Sequence, residues 1–566
     1  MLYRLREKRL HLRRIDLFIF ALIIAATLLR FILIYFHWPV TNSDEGNMGI
    51  LARHVAYNGE WPIFFYGLPY MGPVEGYIAA PLFHLFGPST FTLRLGLLPF
   101  FPLFLICMYY LTRLLYTQKM AVFTVIVLCF GSDEVIGRQL KAVGEYPELL
   151  FFAAFISLVT CWLVLSAHTV PEQSRTTLRR IFMYGVLGLV AGIALWVDFL
   201  ILPFLGTAAL LLFFFCRREL VSWAGVSLLL GIVIGAFPLL YYNITAPLVD
   251  NSLVVLFSIH RSGSNLHLPF LQQIVGTLTT ALPSATGYNP LCPPEAFPYF
   301  GTAPSKRCLV LQGGWSLGYL ILWGLATFFA FLVVWRGWKS KSFLKPDQPF
   351  IERQNIIRSC CRLMLLVSAG GTLLLYMLSP VAAAVPGPTA RYLECLLVAM
   401  PAVLWPLWNG LRGWGTSMNW RAAASLIVRV CLLVLILATF VTGTIRTFTE
   451  IPEAQAAYQR QDRLVQNLLS LGATRIYSEY WTCNRLTFQS EERIICSALD
   501  ERLHPGFDRY TPYRDMVRAA PHPAYVFPHG SQQVALLDAR MKEDSSFSSR
   551  YQRLVFEDNV IYIAKA

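Results

Sequence analysis

The sequence predicts a multi-pass α-helical membrane protein that ends in a small extracytoplasmic α/β domain. Three observations carry this reading. Of 566 residues, 56% are hydrophobic and only 14% charged, which is too apolar for an ordinary soluble domain. Apolar runs of about 20 residues, each long enough to cross a hydrocarbon core, recur along most of the chain. Beyond residue 446 that texture gives way to short segments of mixed helical and strand pattern.

About eleven spans are expected. They lie at 16–36, 93–115, 120–136, 147–166, 181–197, 199–215, 221–242, 315–335, 363–384, 392–410 and 425–446. Asp198 and Pro203 divide the stretch 181–215; a single bent helix is the alternative. The basic clusters fall on alternate loops. They are Arg4 to Arg14, Arg113/Lys119, Arg175/Arg179/Arg180, Arg217/Arg218 and Arg336 to Arg362, and the positive-inside rule makes those loops cytoplasmic. The first span has no small-residue cleavage site and reads as a retained helix. The N-terminus is then cytoplasmic. Loops 37–92 and 243–314 and the tail 447–566 share the extracytoplasmic face of a cell membrane. Residues 1–446 form the membrane domain and 447–566 the outer domain.

The net charge of +14 does not point to nucleic acid. The excess sits in inner loops, where it sets topology and meets anionic membrane lipid. The cysteines agree with the topology. Only Cys292, Cys308, Cys483 and Cys496 fall in outer segments, as two local pairs suited to disulfides. Zinc is the weaker alternative, because no Cys-x-x-Cys or His spacing accompanies them.

The first outer loop has structure of its own. Ser43 is placed to cap a helix over Gly46 to Tyr57 that Asn58-Gly59 ends. Val74 to Phe86 reads as an interfacial helix opened by Pro73. Trp61, Phe64, Phe65, Tyr66, Tyr70 and Tyr77 crowd the loop, either as headgroup anchors or as walls of a substrate groove. The loop 243–314, rich in Pro and Gly, has the length of a functional lid. In the tail, helices are expected over Ala454–Leu471, Leu499–Leu503, Pro512–Ala519 and Ser531–Met541. Strands are expected over Thr474–Tyr480, Leu486–Phe488, Arg493–Cys496, Ala524–Phe527 and Val560–Ala564. No Walker A sequence, no Gly-x-Gly-x-x-Gly before a helix and no His-Glu-x-x-His occurs.

Four outward-facing groups of residues can carry chemistry. Asp44-Glu45 are adjacent carboxylates at the water edge of the first span. Such acids are costly there unless paired or catalytic. A carboxylate can deprotonate an acceptor hydroxyl; the alternative is an acid favouring a helix N-terminus. Arg138, Lys141, Glu145, Tyr146 and Glu148 form a charged outer turn whose cations suit a phosphate and whose acids suit a sugar. Asp133-Glu134 sit near the same turn. Arg391-Tyr392 follow Pro386-Gly387-Pro388 at another outer edge, where arginine either binds a lipid phosphate or snorkels. His260-Arg261 and Glu75 are further substrate-binding candidates. Two nearby acids can also hold Mg²⁺ or Mn²⁺, which leaves a divalent cation open.

These residues resemble the GT-C glycosyltransferases that use polyprenyl-phosphate-linked sugars. Similar families are protein O-mannosyltransferases, lipid A aminoarabinose transferases and bacterial dolichyl-phosphate-mannose-type transferases. Asp44-Glu45 follows the first span as their acidic pair does. Gly59-Glu60-Trp61-Pro62 and Gly67-Leu68-Pro69-Tyr70 look like their "G-x-W … G-x-P-Y" stretch. Ala390-Arg391-Tyr392-Leu393 looks like their late "R-Y-L-L-P" segment. The resemblance covers most of residues 10–445, and the tail adds little to it. It implies inverting transfer of a sugar from a polyprenyl-phosphate donor to a glycan, lipid or protein acceptor. In it Asp44 is the acid/base residue, Glu45 its support, and Arg391, Arg138 and Lys141 neutralise the leaving phosphate. Met71-Gly72-Pro73-Val74-Glu75 replaces the "F-E-K-P-P" of aminoarabinose transferases, and the tail lacks a β-trefoil pattern. Neither lipid A nor a protein is therefore singled out as acceptor.

The rival from another class is a transporter or flippase of a lipid-linked sugar. Transporters keep charged sites near the midplane on broken helices, often with internal repeats. Here the acids cluster on outer loops and no repeat is visible. A third reading is a scaffold whose tail binds cell-wall polymer, for which Asp44 would be dispensable.

Overall fold

The computed structural model describes residues 14–167, 178–262, 269–287, 292, 305–339, 350–413 and 420–565. Side chains 259–262 are outside that set, so His260 and Arg261 lie outside the described side chains, as does the stretch 293–304 of the long loop. Among the described residues, eight helices are long and apolar enough to cross a membrane. Two further pairs pass the same test as bent spans, Gln118–Cys129 with Asp133–Leu140 and Trp223–Gly235 with Phe237–Thr245, and Phe199–Phe215 is a shorter apolar helix. Every expected span therefore has a helical counterpart. Residue 198 separates Leu178–Val197 from Phe199–Phe215, with Asp198 accepting from the Leu200 amide at 2.7 Å. The protein is a multi-pass membrane protein with a helical body and a small C-terminal sheet.

Tyr146–Ala167 and Pro386–Asn409 are the inner staves, 72% and 78% buried, whereas Lys306–Lys339 is peripheral at 11%. The first span, α1 (Arg14–Tyr35), carries a buried arginine that needs no functional explanation. Arg30 donates to Gln139 Oε1 at 2.8 and 3.0 Å and to the Cys129 carbonyl at 3.0 Å, and its guanidinium lies 3.4 Å over the Phe101 ring. The 82° bend after Cys129 leaves carbonyls without helical partners, and Arg30 supplies a donor there. The helices Leu178–Val197 and Trp223–Gly235 meet through glycines. A Cβ on Gly188 would stand 2.1 Å from the Leu228 carbonyl oxygen, so only glycine permits that approach.

In the first loop, α2 (Ser43–Arg53) is capped one residue earlier than expected. Asn42, not Ser43, is the N-cap, and its Oδ1 accepts from the Glu45 amide at 3.0 Å. The Ser43 hydroxyl is used instead in a long-range contact with the Tyr480 carbonyl. A π-turn, His54–Asn58, follows and ends at Gly59, whose φ of 68° is left-handed. The helix α3 (Val74–Phe86) forms as expected behind Pro73.

The helix Trp420–Thr449 runs on through α4 (Ile451–Ser470) into the tail. Then follow β1 (Arg475–Ser478), α5 (Tyr480–Gln489), β2 (Ile495–Ala498), β3 (Ala524–Pro528), β4 (Tyr551–Phe556) and β5 (Asn559–Ala564). The sheet order is β2-β1-β3-β5-β4. β1 is parallel to β2 and β3, and β5 is antiparallel to β3 and β4. Two tail assignments need correction. Leu486–Phe488 belongs to α5, because Cys483, Leu486 and Thr487 bury one helical face and Cys483 is disulfide-bonded to Cys496. Leu499–Leu503 is a turn, because the Asp500 carboxylate accepts from the amides of Arg502 and His504, each at 2.8 Å, in competition with a helix. β4 was not expected. Cys292 and Cys308 are also bonded, as expected.

α5 lies directly on α2. A Cβ on Gly46 would meet the Asn484 carbonyl at 2.6 Å, and one on Gly49 the Phe488 ring at 2.5 Å. Gly46→Leu is therefore expected to lift the tail off the loop. Overpacking costs about 1–3 kcal/mol, so hydrogen exchange in α5 should accelerate about tenfold or more. Unchanged exchange would show that the contact is not tight.

Candidate active site

Asp44 lies in the first turn of α2, where the helix dipole favours an acid. Its Oδ1 accepts from Arg509 Nη2 at 2.7 Å and from the Tyr480 hydroxyl. Arg509 Nε in turn donates to that hydroxyl, and the guanidinium stacks 5.0 Å from the Phe65 ring. No hydrogen bond to Asp44 Oδ2 occurs among the described residues, and the side chain keeps 10% exposure. One oxygen is clamped and the other open. Burial alone would raise this carboxyl. The charge of Arg509, the Tyr480 hydrogen bond and the charge of Arg391 together hold it below the ordinary carboxylate range. The charge of Arg391 is thus among those that act on Asp44.

Glu45 points the other way. It is fully buried and bidentate with Arg94, Nε–Oε1 2.7 Å and Nη2–Oε2 2.6 Å. Oε1 also accepts from the Ala142 amide at 3.2 Å. Arg94 Nη2 reaches the Pro39 carbonyl at 2.7 Å. This one carboxylate ties the loop, the helix Thr90–Leu95 and the turn after Leu140 together. Against burial, the Arg94 charge holds Glu45 below its ordinary value. The adjacent acids therefore face different surroundings, one partly open and one sealed.

The helix Asp133–Leu140 brings Arg138 to a cavity lined also by Glu134, Ser284, Ala285, Ala390, Arg391 and Glu394. Arg138 pairs with Glu134 at 3.2 Å. Arg391 and Tyr392 open a ten-residue 3-10 helix, Ala390–Ala399. The Arg391 guanidinium lies 5.4 Å from the rings of both Tyr146 and Tyr392, and its Nε has no hydrogen-bond partner among the described residues. Lys141 follows the same helix, and burial pulls it down to about 8, with Glu45 opposing. Three expected cations thus stand around one region, and two line one cavity.

The remaining expected acids form a buried group behind it. Glu75 Oε2 accepts from the Gly144 amide at 2.7 Å, and burial followed by the charge of Glu148 pushes the Glu75 carboxyl well above its usual range. Glu145 adopts φ 72° beside Gly144 at φ 96°. Burial and then Asp198 push Glu145 well above the ordinary range too. Glu75 Oε1, Glu145 Oε2 and both Glu148 oxygens have no hydrogen-bond partner among the described residues. No group of three or more His, Cys, Asp or Glu side chains suited to a metal occurs among the described residues.

Sequence reasoning missed Arg509, Tyr480, Arg94, Asp198 and Glu394 as members of this region. Glu394 had a signal, one turn after Arg391. Arg509 had none, since it meets Asp44 across 465 residues.

No protein-family model and no curated protein matches the chain. Among solved structures it is similar to ArnT from Cupriavidus metallidurans bound to undecaprenyl phosphate, at 12% identity. That match covers 96% of this chain and 98% of that one with a TM-score of 0.51. The archaeal oligosaccharyltransferase AglB from Archaeoglobus fulgidus, in complex with an inhibitory peptide and a dolichol-phosphate, also matches, at 12% identity, 97% and 74% coverage and a TM-score of 0.47. The likeness to ArnT shows a shared fold, and the chain has the GT-C fold.

Proposed function

We propose that this protein is an inverting glycosyltransferase that moves a sugar from a polyprenyl-phosphate carrier to an extracytoplasmic acceptor. The observation that carries the reading is Asp44, with one oxygen clamped by Arg509 and Tyr480, the other without a hydrogen bond among the described residues, and the charge of Arg391 acting on the carboxyl. The structural neighbour with undecaprenyl phosphate bound supports a lipid-phosphate donor. In this reading the acceptor hydroxyl gives its proton to Asp44 Oδ2 as its oxygen attacks the anomeric carbon. The carbon–phosphate oxygen bond breaks on the opposite face, and the lipid phosphate leaves with the electron pair. Arg391, Arg138 and Lys141 stabilise that charge, a large term when donors are already in place. Glu75, Glu145 and Glu148, whose carboxyl oxygens include four without a hydrogen-bond partner among the described residues, offer hydrogen bonds to sugar hydroxyls. Glu45 braces the site rather than touching substrate.

A carboxylate held this acidic is a weak base, so Asp44 acts by position and negative charge as much as by proton affinity. This gives a pH test. Activity falls as pH drops through the Asp44 pKa, because the protonated acid cannot accept a proton. Arg509→Gln removes the largest lowering influence and leaves burial to raise the pKa. The acidic limb of the kcat/KM profile is therefore expected to move to higher pH. A limb that stays in place would remove Asp44 from the titration that limits the reaction.

A further inference from the structure

A second cavity opens where α1 ends and the loop begins, between the helix Thr90–Leu95 and helices α4 and α5. Its polar wall is made by His37, Thr41, Arg94, Gln461 and Arg485, and no carboxylate lines it. The space is about 280 Å³ counting the part open to solvent, and its centre admits a group the size of a water molecule. Two buried donors on its lining residues are unused among the described residues. Arg94, 1% exposed, spends Nε and Nη2 on Glu45 and Pro39 but leaves Nη1 without a partner. Gln461, 9% exposed, leaves Nε2 unpartnered. Arg485 donates to the carbonyls of Trp481 at 2.9 Å and Thr41 at 3.5 Å and forms no ion pair among the described residues. His37 is held at φ 62° with its ring stacked flat on Tyr458, centroids 3.8 Å apart.

Buried donors without partners are costly, and two guanidinium groups with a free amide N–H select an oxyanion. We propose that this cavity is an anion site that takes a phosphate group. One phosphoryl oxygen enters between Arg94 and Gln461, and the others remain at the mouth beside Arg485. The site is separate from the transfer centre and does not rest on the reading given for it. His37 lies two residues beyond the end of α1, at the water edge of the membrane, so a lipid headgroup and free phosphate are both sources of the group.

The test uses the full-length protein in detergent, in an Arg391→Gln background so that the proposed donor-phosphate site is disabled. Equilibrium binding is measured for inorganic phosphate and for dihexanoyl phosphatidic acid. Saturable binding is expected, weakened about tenfold by Arg485→Gln and by Gln461→Leu, as loss of a charge-assisted or buried hydrogen bond predicts. Gln461→Leu keeps shape and charge and decides the matter if Arg485→Gln does not fold. Binding of the lipid alone identifies a headgroup site, and binding of both identifies a site for the phosphate itself. No binding of either probe, or binding unchanged in the folded variants, overturns the proposal.

Discussion

Asp44→Asn is expected to lower kcat for sugar transfer by about 10²–10⁴, the usual contribution of a positioned general base. Asparagine keeps the size of the side chain, and its Oδ1 can still accept from Arg509 and Tyr480, so the α2–tail contact should persist. What is lost is the negative charge and the acceptor on the open side. KM for the lipid donor should change little, since the proposed mechanism assigns the donor phosphate to Arg391, Arg138 and Lys141. A folded Asp44→Asn protein with full turnover would mean that the acceptor proton goes to another group. The scaffold reading makes that prediction, and the comparison therefore separates the two.

Glu45→Gln is expected to act on stability more than on chemistry. The carboxylate and Arg94 are both sealed, and removing one charge leaves the other buried without compensation. Breaking such a pair typically costs about 3–5 kcal/mol, whereas replacing both partners by apolar residues is often near neutral. A large fall in apparent Tm is expected for Glu45→Gln and for Arg94→Met. The double variant Glu45→Leu/Arg94→Met should recover much of it. The readout is a double-mutant cycle on thermal unfolding in detergent. A Glu45→Gln protein of unchanged Tm but without transfer would instead make Glu45 part of the chemistry, as the shared acidic pair suggests at first sight.

The contrast between these two acids shows what the sequence can disclose. Their adjacency at the end of a span marks the place, and the resemblance of the first loop supplies a chemistry. Their division of labour depends on Arg94, 49 residues on, and Arg509, 465 residues on. Neither separation leaves a local pattern. The spans were legible because twenty apolar residues have few other uses, and the turn around Arg138 and Glu145 was legible because charge interrupts that texture. The tail was less so. Its short elements are decided by tertiary contact, as where α5 is fastened to β2 by Cys483–Cys496 and to α2 through Gly46 and Gly49. A three-residue apolar run such as Leu486–Phe488 carries no period to tell strand from helix. The result is that the tail, which adds little to the resemblance, supplies the two side chains that hold Asp44.

The most direct test follows both halves of a labelled polyprenyl-phosphate sugar in vesicles that contain the purified protein and a membrane extract as acceptor source. The expected result is that free polyprenyl phosphate accumulates as the sugar joins an acceptor, and that Asp44→Asn slows both by about 10²–10⁴. Recovery of the intact lipid-linked sugar on the opposite face of the vesicles, with no polyprenyl phosphate released, would contradict it and identify a flippase.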